Sequence, residues 1–241
     1  MNLYQRLLPA LFLAAGMNTS AADTPDAARV IEHEAADNML LLQKGNDVMH
    51  AGNPLRAINE FFDPVIRRFE TAYEGSDKHI YSARNQVQAL LYAGMDAGDK
   101  KGTIVLDATW ADAYLLKAYA LSELGRVADA RKVLESALAL SPMTSQFHSE
   151  LAYTFIAEHN WDKAMASYRT AEEVTELGSD EALKNLDLAR AWRGQGYVLV
   201  ELGKLDEALA LYQKCLKLDA HDEKARGEIK YIEELRSKSR S

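Results

Sequence analysis

The strongest constraint on the fold of this 241-residue chain is an internal repeat. Residues 111–144, 145–178 and 189–222 align in one phase, with offsets of 34 and 44 positions. The ten residues 179–188, "SDEALKNLDL", are the insertion that makes the second offset longer. A period of this length marks a supersecondary unit stacked on copies of itself. Equivalent positions carry equivalent sizes: Ala118, Ala152 and Gly196; Ala130, Ala164 and Ala208; Ala137, Ala171 and Cys215. Between them stand the bulky Leu134, Tyr168 and Tyr212, and an aromatic ring opens each unit at Tyr114, His148 and Trp192. Two antiparallel helices approach closely only where side chains are small, and large residues then fill the space between successive pairs. Turn signals fall between the two halves of each unit, at Gly125, His159-Asn160 and Gly203, with Asp129, Asp162 and Asp206 near the start of the following helix.

These segments resemble the tetratricopeptide repeat, a helix–turn–helix unit of ~34 residues. The resemblance implies an all-α solenoid of antiparallel helix pairs wound as a right-handed superhelix, with the first helix of each pair lining a concave groove. Residues 38–71 phase as a fourth, degenerate unit, with Gly45 at the helix contact, Gly52 in the turn and Ala57 at the early small site. Pro64 falls inside its second helix and should kink or stop it. Residues 72–110 read as helical, with one helix from about His79 to Ala97 and a second piece ending near Leu106. The insertion should lengthen the first helix of the last unit, and residues 223–241 form a capping helix with one apolar stripe, Ile229, Ile232 and Leu235.

The N-terminus carries a different signal. Arg6, an apolar run from Leu7 to Gly16 and the small tract Thr19-Ser20-Ala21-Ala22 follow the order of a secretory signal peptide, residues 1–22. The run is shorter than the ~20 residues a membrane span needs. The expectation is export as a soluble protein to a bacterial periplasm. Net charge is −8 with no basic run, which argues against nucleic acid as a partner.

Nothing in the chain spells an enzyme. "RGQGYVLVELGK", residues 193–204, has the vocabulary of a phosphate loop, but Val198 and Leu205 stand where such a loop needs Gly and Ser or Thr. "HEAAD", residues 33–37, has Asp37 in place of the second zinc-binding histidine. The lone Cys215 occupies a small packed site. No catalytic residue, metal ligand or cofactor is implied.

What remains is surface. The resemblance places Asp112, Leu115, Tyr119 and Ser122 of the first unit inward, then Gln146, Ser149, Tyr153 and Ile156, then Arg190, Arg193, Tyr197 and Val200. Tyr119, Tyr153 and Tyr197 share one repeat position and would form a ladder along the groove. Arg190 and Arg193 would give its far end a positive spot. The Lys and Asn clamp of chaperone-binding relatives is absent, since Leu115, Tyr119, Ser149 and Tyr153 occupy those places. The expected function is a protein or peptide interaction scaffold. An immunity or inhibitor protein against a periplasm-acting toxin is the alternative, and an enzyme the third class.

Overall fold

A computed structural model describes residues 26–238, apart from Ala97 and Asp180. The chain divides into two compact units, residues 1–36 and 37–241. The leader expected at 1–22 lies outside the described residues. Helix α1 spans Asp26–His50.

The next helical stretch follows Gly52, whose φ of 82° turns the chain. It runs as α2 (Pro54–Ala57), a π-helical turn (Ile58–Phe62) and α3 (Asp63–Tyr73). Pro64 neither stops nor ends this stretch. The π turn shifts the hydrogen-bond register just before it, so that Asp63 N–H donates to Ile58 C=O and Pro64 enters α3 in its first turn, where no N–H is needed. Gly45 of α1 meets this helix closely: a Cβ there would lie 2.5 Å from the Phe62 ring.

Residues 79–106 depart from the helical expectation. His79–Ser82 is strand β1, Gln86–Met95 is helix α4 and Thr103–Leu106 is strand β2. The strands pair in parallel, His79 beside Thr103 through Ser82 beside Leu106. The helix cannot start earlier because Asn85 caps it, its side chain accepting from Gln88 N–H at 2.8 Å. Gly102, at φ 75°, reverses the chain into Thr-Ile-Val, a run that favours strand over helix. Tyr92 of α4 stacks on Tyr81 of β1 at 5.0 Å.

The remaining helices come in antiparallel pairs: α5 (Thr109–Glu123) with α6 (Val127–Leu140), α7 (Ser145–Ile156) with α8 (Trp161–Gly178), and α9 (Glu181–Glu201) with α10 (Leu205–Leu218). Helix α11 (Glu223–Lys238) follows. Residues 181–188 of the insertion form the N-terminal part of α9, which is 21 residues long. Gly125 and Gly203 sit at φ 71° and 73°, and His159 takes the same left-handed place at 55°. The repeat's small residues are where the helices meet: Ala118, Ala130, Ala137, Ala152, Ala164, Ala171, Ala208 and Cys215 are all buried. Apart from two four-residue strands, the described residues form an all-α fold of the tetratricopeptide type.

Candidate functional site

A run of polar contacts joins α5 to α7, the first helices of two successive pairs. It begins outside the repeats, at Arg84 in the loop between β1 and α4. The Arg84 guanidinium donates to Asp112 Oδ1 at 2.5 Å and to Gln146 Oε1 at 2.8 Å, and lies 4.8 Å from the centre of the Phe147 ring. Gln146 Nε2 donates to the Tyr119 hydroxyl at 2.9 Å, and that hydroxyl donates to Glu150 Oε1 at 2.9 Å. Burial holds the Glu150 carboxyl above the usual glutamate range, against the pull of the Arg190 charge and of the Tyr119 hydroxyl. Burial pushes the Tyr119 phenol well above 10.0, and the Glu150 carboxylate adds to it.

The inward residues read from the sequence therefore divide. Leu115 and Ser149 are buried, and Tyr119 is 9% exposed with its hydroxyl engaged on both sides. Gln146 is held between Arg84 and Tyr119. Ser122 and Tyr153 are partly buried. Tyr197 is open to solvent. The positive spot expected from Arg190 and Arg193 is neutralised: Arg190 pairs with Asp187 at 2.9 Å, and Arg193 pairs with Asp222. Asp187 lies in the insertion and Asp222 at the very end of the last repeat, in the loop before α11.

Sequence reasoning missed the next rung. Tyr231 on α11 stands 34 residues after Tyr197, at the same repeat position, and is 49% exposed. The period alone could have found it. Around Tyr197 the charges are negative. Burial comes first in raising its phenol, then the carboxylates of Glu201 and Glu228, with Tyr153 and Tyr231 as further neighbours. Glu228 is itself raised by burial. Tyr197 and Tyr231 are thus exposed, with the carboxylates of Glu201 and Glu228 acting on Tyr197.

Cys215 is fully buried, its thiol directed at the Ala189 carbonyl at 3.7 Å, and burial pushes the thiol up to about 11. A thiol in that state is a packing residue. Gly196 meets the Tyr212 ring, where a Cβ would lie 2.8 Å from Cζ, and Gly203 forms the turn. Of the glycines of "RGQGYVLVELGK", Gly194 and Gly196 serve helix packing and Gly203 the turn. Among the described residues no cluster of His, Cys, Asp or Glu could hold a metal ion, and no helix is long and apolar enough to cross a membrane.

Helix pairs of this period, closed by small residues, define a helical repeat protein. Family comparison gives it a name: one tetratricopeptide repeat model spans residues 115–182 and a second spans 189–222. Residues 115–182 and 189–222 are tetratricopeptide repeats, and such repeats are protein–protein interaction scaffolds. Among solved structures, the nearly identical repeats of a kinesin-light-chain-type protein from Podospora anserina match with a TM-score of 0.52 at 14% identity, over 84% of this chain and 92% of that one. MamA from Desulfovibrio magneticus RS-1 matches with a TM-score of 0.50 at 12% identity, over 83% of this chain and 85% of its own. At such identities the likeness is one of fold. No protein of curated function matches the sequence.

Proposed function

We propose that this protein is an exported, non-enzymatic adaptor that binds a peptide or protein segment carrying basic side chains over Tyr153, Tyr197 and Tyr231. The observation that carries the reading is the acidic setting of an exposed tyrosine pair, Tyr197 and Tyr231 beside Glu201 and Glu228. A lysine or arginine placed over a tyrosine face gains a cation–π contact of about 0.5–2 kcal/mol. The carboxylates and the net charge of −8 favour the same sign of ligand. Tyrosine adds a large rigid contact area, the usual material of a binding hot spot. Export rests on the order of residues 1–22.

Isothermal titration with matched peptides, one set bearing Lys and Arg and the other Asp and Glu, tests the binding reading. Basic peptides should bind and weaken as salt rises. Tyr197→Ala and Tyr231→Ala should each weaken binding about tenfold with helical circular dichroism unchanged. Equal binding of acidic peptides, or indifference to both substitutions, would sink it. Fusion of residues 1–22 to a reporter active only outside the cytoplasm tests export separately.

A further inference from the structure

Arg84, Arg190 and Arg193 each have a carboxylate of their own. Arg84 holds Asp112 at 2.5 Å, Arg190 holds Asp187 at 2.9 Å, and Arg193 pairs with Asp222. Glu150 of α7 has no such partner. Its Oε1 accepts from the Tyr119 hydroxyl at 2.9 Å, and among the described residues Oε2 takes part in no hydrogen bond or ion pair. That oxygen is not sealed away: Glu150 is partly exposed, and Oε2 keeps contact with solvent. Arg190 acts on the carboxyl from beyond ion-pair distance, with its guanidinium committed to Asp187 Oδ1. The other oxygen of Asp187 accepts from Ser179 Oγ at 2.9 Å, which holds that pair in place.

The surroundings of Glu150 are aromatic. The Tyr168 phenol on α8 is raised by burial first and then by Glu150, with Tyr153 and Tyr197 acting on it as well and Arg190 opposing. Tyr153 stands one turn after Glu150 on α7. Three successive helix pairs thus gather four phenol rings, those of Tyr119, Tyr153, Tyr168 and Tyr197, about one carboxylate. A carboxylate with an open oxygen beside aromatic rings is a receptor for a cation, because the rings offer their negative faces and the carboxylate offers the charge. Burial has already taken part of the water from Glu150, and a ligand cation offsets that loss.

We propose that Glu150 anchors a lysine side chain of the segment this protein binds, with the ammonium donating to Oε2 among these tyrosines. The inference rests on the adaptor reading and deepens it, since the anchor sits on α7 rather than beside Glu201 and Glu228 and chooses between the two basic side chains. A guanidinium binds a carboxylate best through two parallel bonds, one to each oxygen. Oε1 is taken by Tyr119, so Glu150 offers a single oxygen, which suits a compact ammonium. Gln146 donates to the Tyr119 hydroxyl and accepts from Arg84, so the loop before α4 helps to keep Oε1 occupied.

Isothermal titration reads the result with two peptides of one sequence, every basic residue being Lys in the first and Arg in the second. Wild type should bind the Lys peptide more tightly. Glu150→Gln keeps an acceptor for Tyr119 and removes the charge. It should weaken the Lys peptide at least about tenfold and the Arg peptide less, so that the preference for lysine is lost. Retained binding of the Arg peptide, with helical circular dichroism unchanged, shows that the variant is folded. Tyr197→Ala should weaken both peptides alike and leave the preference in place. Equal or tighter binding of the Arg peptide by wild type overturns the anchor, as does a lysine preference that survives Glu150→Gln. In either case the adaptor reading stands if Tyr197→Ala still weakens binding, whereas binding of neither peptide sinks both.

Discussion

At the scale of single residues, the glycines show how one residue type serves opposite ends. Gly196 lies within helix α9, where alanine is worth roughly 1 kcal/mol more than glycine by helix propensity. The site overrules the propensity: an added Cβ would lie 2.8 Å from the ring of Tyr212, which is 1% exposed and has nowhere to go. Overpacking of this kind costs about 1–3 kcal/mol. Gly227 lies within α11 with nothing within 4 Å of its would-be Cβ. Thermal unfolding should therefore move in opposite directions, with Gly196→Ala lowering Tm and Gly227→Ala raising it. Equal shifts would mean the Tyr212 contact does not decide the first case. Gly196 was legible from the repeat, which reserves that position for a small residue. Gly194 was not, although a Cβ there would lie 2.2 Å from the Tyr168 ring. Tyr168 belongs to the preceding unit, and a contact between units leaves no mark inside either. The pairing of Arg190 with Asp187 of the insertion is hidden for the same reason, and that of Arg193 with Asp222 because position 222 carries no constant residue type among the units. The period assigns a position on the helix, whereas neutralisation depends on acids at positions that the repeat pattern does not fix.

At the scale of elements, the face shared by α5, α7 and α9 is tuned by burial. Glu150 of α7 takes a hydrogen bond from Tyr119 of α5, and the charge of Arg190 on α9 acts on it too. Burial still prevails and raises its carboxyl above the ordinary glutamate range. A folded-state value above the unfolded one means the native protein binds the extra proton between the two. Stability from this group is therefore full below about 4.5 and is lost as pH rises through the raised value. Glu150→Gln keeps an acceptor for Tyr119 and removes the ionisation. Denaturant titrations should show wild type losing stability relative to this variant between pH 4 and pH 8. A parallel pH dependence in the two proteins would exclude Glu150 as the source. The β1–α4–β2 segment marks where pattern reading gives way. Apolar residues at short range suit helix or strand alike, and the Asn85 cap and the Gly102 reversal settle the matter only once the chain is folded. The three clear pairs were legible because each repeats the same packing constraint, and a segment that occurs once has no second copy to read it against.

At the scale of the molecule, contacts run mainly between neighbours: α5 to α6, α6 to α7, α7 to α8, α8 to α9, α9 to α10 and α10 to α11. Stability in such an array is local, a sum of units and their interfaces. The β1–α4–β2 segment breaks that rule. Arg84 holds Asp112 of α5 and Gln146 of α7, and Asn85 Nδ2 donates to the Gly178 carbonyl at the end of α8, at 3.0 Å. Gln88 Nε2 donates to Met143 C=O at 3.2 Å, and the Tyr92 hydroxyl accepts from Met143 N–H at 3.1 Å. One short segment thereby bonds to helices of two successive pairs and to the loop between them. Two substitutions should then behave differently under amide hydrogen exchange. Ile232→Ala empties a fully buried site on α11, a loss of about 2–5 kcal/mol. Its effect should stay in α10 and α11, as a terminal unit opens without its distant neighbours. Arg84→Ala removes charge-assisted bonds worth about 1.5–3 kcal/mol each. It should lower protection in α5 and α7 together, because the two helices lose one shared tether. If Arg84→Ala affected only its own loop, the segment would be an appendage to the repeats, and the array would be held by neighbour contacts alone.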